Sequence, residues 1–340
     1  MLYLQGYNRM TRFVLTVAVW LIAIVAFAQA EADGQLYAVL ISGGRNRLTN
    51  HERYWNDCAL LYRTLRGRCH VPRGNISVLI SDGSNPAEDM IKADGSGFAS
   101  SPVDLDDDGE PDVSGAATLQ MAIKTFRDIA QHAEHHDKLL VFLVGHGNLD
   151  DVTGEASLSL WGNDQLNAQM LSLLLDMVKV SRTCVIMGQC NAGGFMDALR
   201  ADGLVVSAAC SRSEQSWSCP DRPYDEFVYH WICAVNGSDE SGQEVDADSD
   251  RDGWVSLREA FDYARSRDRR VETPEYYSLP EELGRQWLLS HTGGTLIAPI
   301  IKSTEAGGAR YTIGGSRQSV TALRGIYIEQ GRKRVAGSRK

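Results

Sequence analysis

The sequence has no excess of basic residues. Its 34 lysines and arginines are outnumbered by 44 aspartates and glutamates, for a formal net charge of −10. A nucleic-acid binder needs a basic face to displace counterions from phosphates, so that class is excluded. Long apolar runs are equally scarce. One stretch, residues 13–28, is apolar but for Thr16, and it is short for a membrane span. No internal repeat is present, so the chain is not a stacked array.

What is there is ordinary for a globular protein. The 340 residues suffice for one large α/β domain or two small ones, and the 43% apolar fraction can bury a sizeable core. The N-terminus carries Arg9 and Arg12, then the apolar run, then Ala28-Gln29-Ala30, a small-x-small cleavage site. Residues 1–30 read as a signal peptide. The mature chain is therefore expected to be secreted, periplasmic or at the cell surface, with no membrane span after cleavage. Seven cysteines follow: Cys58, Cys69, Cys184, Cys190, Cys210, Cys219 and Cys233. The odd number requires at least one free thiol or one intermolecular pair. Cys210 and Cys219 are near enough in sequence to close a small loop, but the pairing stays open.

Strand-like and helix-like stretches alternate. Residues 35–44, 75–82, 139–147, 182–190 and 204–210 are apolar runs ending in glycine or polar turns. Between them, residues 50–67, 115–138 and 164–180 have helical spacing, and residues 195–201 read as a short helix. Near-continuous apolar strands separated by amphipathic helices indicate an α/β fold, a mostly parallel sheet covered on both faces. In such sheets, active sites lie at the carboxyl ends of the strands.

His146 ends one apolar strand, between Gly145 and Gly147, and Cys190 ends another, before Asn191-Ala192-Gly193-Gly194. Glycines let the backbone turn sharply and approach a substrate. A cysteine becomes a nucleophile when a neighbouring base takes its proton, and a histidine on an adjacent strand end meets that need. Backbone amides around Gly147 and Cys190 can form an oxyanion hole. The two residues lie 44 positions apart, close to the spacing of about 50 in caspases.

This pattern resembles the caspase-like cysteine peptidases, and more closely the legumain (asparaginyl endopeptidase, family C13) group. The stretch "YAVLISGG" is similar to that family's first strand, and "RYWNDCALLY" to its Arg-x-x-x-Asp segment. "SAACSRSEQSWSC" is similar to the segment after its catalytic strand, and "YDEFVYHW" to the following Asp-to-Trp stretch. The resemblance covers roughly residues 36–235. It implies a three-layer caspase/legumain-like sandwich, with Cys190 as nucleophile, His146 as base and proton donor, and Gly147 as an oxyanion amide. An Asn orients the histidine in that family; Asn50 is the candidate here, with His51 at the strict spacing. Arg53 and Asp225 match the primary specificity pocket, and Ser207 and Glu214 match further substrate-binding positions. An arginine that donates beside an aspartate that accepts suits an asparagine side chain. The chain departs from the family before the nucleophile, where Gly188-Gln189 replaces Glu-Ala.

The acidic residues cluster. Residues 248–259 fit the calcium loop D-x-D-x-D-G-x5-E. Asp248, Asp250 and Asp252 supply oxygens, Trp254 a backbone carbonyl, Ser256 the ninth position, and Glu259 the closing carboxylate. Residues 104–115 repeat the start of that pattern with Asp104, Asp106, Asp108 and Asp112, but place Gly115 at the twelfth position. The expected ion is Ca2+, structural or activating; hard oxygen ligands exclude zinc chemistry.

Residues 300–340 are basic and glycine-rich. Gly325-Ile326-Tyr327-Ile328 followed by Gly331-Arg332-Lys333 resembles the end of a type IX secretion sorting tail, as found in Bacteroidetes. The expectation is thus residues 1–30 as signal, residues 31–299 as a peptidase domain acting on protein or peptide substrates, and residues 300–340 as tail. Two alternatives share the fold: a transamidase or ligase using the same Cys-His pair, and a catalytically inactive calcium-binding module.

Overall fold

The computed structural model describes residues 34–291 and, beyond them, residues 310–312, 317–318, 325–329 and 332–336. The apolar runs become a seven-stranded sheet of β1 (Leu36–Gly43), β2 (Ile76–Ile80), β3 (Val113–Gly115), β4 (Lys138–Gly145), β5 (Arg182–Met187), β6 (Leu204–Ala208) and β7 (Glu275–Leu279). Their order across the sheet is β7-β6-β5-β4-β1-β2-β3. Every neighbouring pair is parallel except β6 and β7. The sequence did not signal β3 or β7. The first is three residues long, and the second lies half-buried at an edge, where a strand has no need of a continuous apolar run.

Successive side chains of a strand point to opposite faces, and both faces are covered here. Leu40, Phe142 and Ile186 pack with helices α1 (Glu52–Gly67), α4 (Glu226–Asn236) and α5 (Leu257–Arg267). Val39, Val141 and Val185 pack on the other side with α2 (Leu119–Ala130) and α3 (Ala168–Met177). Each such side chain contributes about 1.5–3 kcal/mol on burial, which makes the two cores the main support of the sheet.

Helix boundaries follow their caps. The Thr118 hydroxyl accepts from the Met121 amide and the Asn167 side-chain Oδ1 from the Met170 amide, so α2 and α3 start later than apolar periodicity alone suggests. Residues 195–201 do not form an α-helix; a 3-10 turn, Ala192–Phe195, is followed by further turns. All seven cysteines carry free thiols, so Cys210 and Cys219 are not joined. Cys210 instead donates to the carbonyls of Gln189 and Glu214.

No helix among the described residues is long and apolar enough to cross a membrane. The expected signal, residues 1–30, lies outside the described residues. Residues 296–340 form a separate unit. Its strands Arg310–Thr312, Arg317–Gln318, Gly325–Glu329 and Arg332–Ala336 make a four-stranded antiparallel sheet. Two of them carry the motif that resembles a sorting tail.

Candidate active site

The chain runs outward from β1 to β3, then returns to β4 beside β1 and proceeds the other way. That reversal leaves a crevice at the carboxyl ends of the central strands. Leu143 of β4 pairs with Met187 of β5. His146 and Cys190 each lie three residues beyond that pair, so both stand at the same depth. One more ladder bond, from the Gly188 amide to the Leu143 carbonyl at 2.8 Å, holds the register past the strand ends. At the rim the two chains nearly touch. A Cβ on Gly147 would fall 1.7 Å from the Cys190 carbonyl oxygen, so only glycine permits this approach. Asn191, at φ 58°, turns the chain sharply after the cysteine.

A cavity of about 270 Å3 opens here, lined by Arg53, Tyr54, His146, Cys190, Trp217 and Asp225 among others. Burial pushes the Cys190 thiol above its ordinary range, and the charges of Asp225 and Glu272 add to this. Backbone hydrogen bonds at Ser216 and Gly147 oppose the shift, and the thiol itself lies 3.7 Å from the Ser216 carbonyl that accepts from it. Burial lowers the His146 imidazole, helped by the Arg53 charge, against a hydrogen bond to the Thr49 carbonyl. Both shifts favour the neutral forms, so the resting pair is thiol and imidazole, not thiolate and imidazolium. His146 Nε2 is buried without a partner among the described residues. The Thr49 bond therefore falls on Nδ1, which fixes the tautomer and leaves Nε2 free to accept a proton.

Three rings, His146 among them, form a closed triangle. His51, Tyr54 and His146 meet edge to face, with centroids 5.5–5.6 Å apart. Burial and the Arg53 charge lower His51 to about 4, so it stands beside His146 uncharged at neutral pH.

The rest of the pocket is built on α1. Arg53 donates from Nε to Asp225 Oδ1 at 2.7 Å, with side-chain exposures of 24% and 7%. Its Nη2 donates to the Tyr54 hydroxyl at 2.8 Å. Asp225 is the N-cap residue of α4, yet its carboxylate caps nothing and faces the arginine. Asp57, one turn after Arg53 on the same helix face, is fully buried behind it. Both its oxygens lie 3.3 Å from the Asp225 amide.

Three expected site residues stand elsewhere. Asn50 does not orient His146: its amide nitrogen donates to Ser81 Oγ at 2.6 Å and to the Asp89 carbonyl at 2.8 Å. The adjacent Thr49 carbonyl takes that role. Ser207 is buried in the middle of β6 and not in the cavity wall. Glu214 accepts from the Ser211 amide at 3.0 Å and from the Thr273 amide at 2.9 Å, bracing a loop. The wall that loop supports is Gln215, Ser216, Trp217 and Ser218. The stretches that resemble the legumain group hold these residues, Tyr54 and Asp57 without giving them a role, and sequence reasoning missed Thr49. The spacing of four between Arg53 and Asp57 was the one available signal. Beneath the wall, burial and Asp268 raise Glu272 to about 9, and its carboxylate accepts from the Trp217 amide at 3.2 Å.

Both acidic loops bring three carboxylates together. One oxygen each of Asp248, Asp250 and Asp252 lie within 4.8 Å of one another, and the same holds for Asp104, Asp106 and Asp108. Gly253 and Gly109, at φ 90° and 95°, make the sharp turns. Asp104 and Asp106 each have one buried oxygen without a partner among the described residues. Such hard oxygens fit a divalent cation. Asp112 does not join the second group. It accepts from Arg73 at 2.5 Å, Tyr62 at 2.6 Å and the Leu105 amide at 2.7 Å, which saturates it. Glu259 and Ser256 form the capping box of α5. Glu259 also accepts from the Ser249 amide at 2.9 Å, tying the end of the loop to its start. Trp254 begins a short strand paired with Leu288–His291.

No protein-family model matches the chain, and no curated protein matches it. Among solved structures it is similar to the crystal structure of protein GSU0716 from Geobacter sulfurreducens. The identity is 13% and the TM-score 0.43, over 78% of this chain and 100% of that one. A likeness this distant has no bearing on function.

Proposed function

We propose that this chain is a cysteine endopeptidase with the caspase-like sandwich of the legumain group, exported from the cell and acting on protein or peptide substrates. One observation carries the reading. His146 and Cys190 each follow one of two adjacent parallel strands, three residues past the paired Leu143 and Met187, and both line one cavity beside the Arg53–Asp225 pair. As Cys190 Sγ attacks the scissile carbonyl, His146 Nε2 takes the thiol proton. It then returns that proton to the leaving amine, and water releases the acyl-enzyme. The backbone amides at Gly147 and Cys190 serve the developing oxyanion. Because the resting pair is neutral, proton transfer accompanies attack. Arg53 and Asp225 receive the side chain before the cut, with asparagine as the favoured residue. Ca2+ would be held by Asp248, Asp250 and Asp252, with the Asp104, Asp106 and Asp108 group as a second site; it supplies stability to the loops and no chemistry.

The test is cleavage of a peptide library varied at the residue before the cut, using wild type and Cys190→Ala, with and without calcium. Cleavage by wild type alone is the expected result. Release of amide-linked products when an amine is supplied would mark a transamidase. Silence from a folded, calcium-loaded wild type would refute the peptidase and favour a binding module.

A further inference from the structure

Behind the Arg53–Asp225 wall of the cavity lies a buried carboxyl that the reaction does not use. Asp57 has no exposed surface. The ionisable groups that face it are Arg53, Tyr54 and Cys58 from its own helix, and Cys219, Tyr224 and Asp225 from the segment leading into α4. Arg53 is the cation among them, and its Nε is engaged by Asp225 at 2.7 Å. Both Asp57 oxygens lie 3.3 Å from the Asp225 amide, which brings the two carboxyl groups together, and they share a hydrogen bond. Two ionised carboxylates cannot share a hydrogen bond; one must carry the proton. Asp225 touches the guanidinium, so it is the ionised partner, and the proton resides on Asp57. Burial and the Asp225 charge push Asp57 well above the usual carboxylate range, in the same direction.

We propose that Asp57 is a specificity-determining residue: as a neutral carboxylic acid donating to Asp225, it holds the pocket at zero net charge and selects an uncharged, amide-bearing side chain over a basic one. The inference rests on the peptidase reading above and adds a residue to it. With Asp57 neutral, Arg53 and Asp225 cancel. An amide then satisfies both, its carbonyl accepting from the guanidinium and its NH2 donating to the carboxylate. A lysine or arginine would bring a charge with no counter-charge, which a buried site disfavours. Loss of the Asp57 proton would give the pocket one net negative charge and invert that preference. Specificity in this pocket is thus a property of three residues, one of which the substrate need never touch.

The experiment compares two peptides identical except for Asn or Lys before the cut. The ratio of their kcat/KM values cancels the titration of the Cys190–His146 pair. Wild type should favour Asn at low pH, and the ratio should fall about tenfold or more over the pH range in which Asp57 ionises, which lies above the usual carboxylate range. Asp57→Asn, isosteric and always neutral, should keep the Asn preference flat across that range. Asp57→Ser provides a second uncharged variant if the first folds poorly, and the wild-type ratio needs no variant. Infrared difference spectra of wild type against Asp57→Asn should lose one protonated-carboxyl band at neutral pH, whether or not any peptide is cut. Cleavage with an identical pH dependence in wild type and Asp57→Asn overturns the role of Asp57 alone. A wild type that prefers Lys at neutral pH also overturns it. No cleavage of either peptide by folded wild type overturns the peptidase reading and this role together.

Discussion

Adding one methyl group at Gly147 tests the contact between the two strand ends. Its Cβ would sit 1.7 Å from the Cys190 carbonyl oxygen, 2.6 Å from the carbonyl carbon and 2.9 Å from the nitrogen. Non-bonded atoms settle at about 3.5 Å, so Gly147→Ala must part the two backbones by more than about 1 Å. Overpacking of this kind costs about 1–3 kcal/mol, within a total stability of about 5–15 kcal/mol, so the domain should stay folded. A displacement of about 1 Å in a reacting group costs on the order of 100-fold in rate. The same substitution at Gly67, the exposed last residue of α1, meets nothing within 4 Å. Gly67→Ala should therefore leave activity unchanged and raise stability by up to about 1 kcal/mol. The assay pairs kcat/KM on a cleaved peptide with thermal melting and circular dichroism. Gly147→Ala with wild-type kcat/KM and an unshifted melt would refute the contact, and with it the placement of Cys190 against Gly147.

Two further predictions concern the dyad and the ion. Cys190 is raised and His146 lowered in the free protein, so alkylation by iodoacetamide should be slow at neutral pH and climb only above the ordinary thiol range of about 8.5. A rate plateau extending down to mildly acidic pH would instead reveal a thiolate–imidazolium pair and sink the neutral-dyad mechanism. Calcium at about 100 times its dissociation constant should stabilise the wild type by about 2.7 kcal/mol, read as a rise in Tm. Asp250→Asn, in the loop of Asp248 and Asp252, should lose most of that gain, and an equal rise in both proteins would remove the ion from this loop.

Features written within a few adjacent residues were legible in the sequence. The five apolar runs became strands of the parallel sheet because continuous apolarity is what a strand buried on both faces requires. The Asp-x-Asp-x-Asp-Gly spacing carries its own turn, so both groups of three carboxylates converge as read. His146 and Cys190 were visible as strand ends among glycines, and their separation of 44 equals the offset between paired Leu143 and Met187. Contacts between distant segments are not written in local pattern. Arg53 and Asp225, 172 residues apart, were expected together only through the family resemblance; their ion pair exists because α1 and the start of α4 pack on the same face of the sheet. Asn50 has the side chain expected to orient His146, but the fold turns it toward Ser81 and Asp89 and presents the Thr49 carbonyl instead. Asp112 continues an acidic motif, and tertiary packing assigns it to Arg73. By itself the sequence determined five of the seven sheet strands, the turns after them and the chemical types at the rim, because each depends on local backbone preference and side-chain pattern. Only the tertiary structure decided which polar groups meet, because a buried donor or acceptor must be satisfied by whatever the packing of distant elements brings within reach.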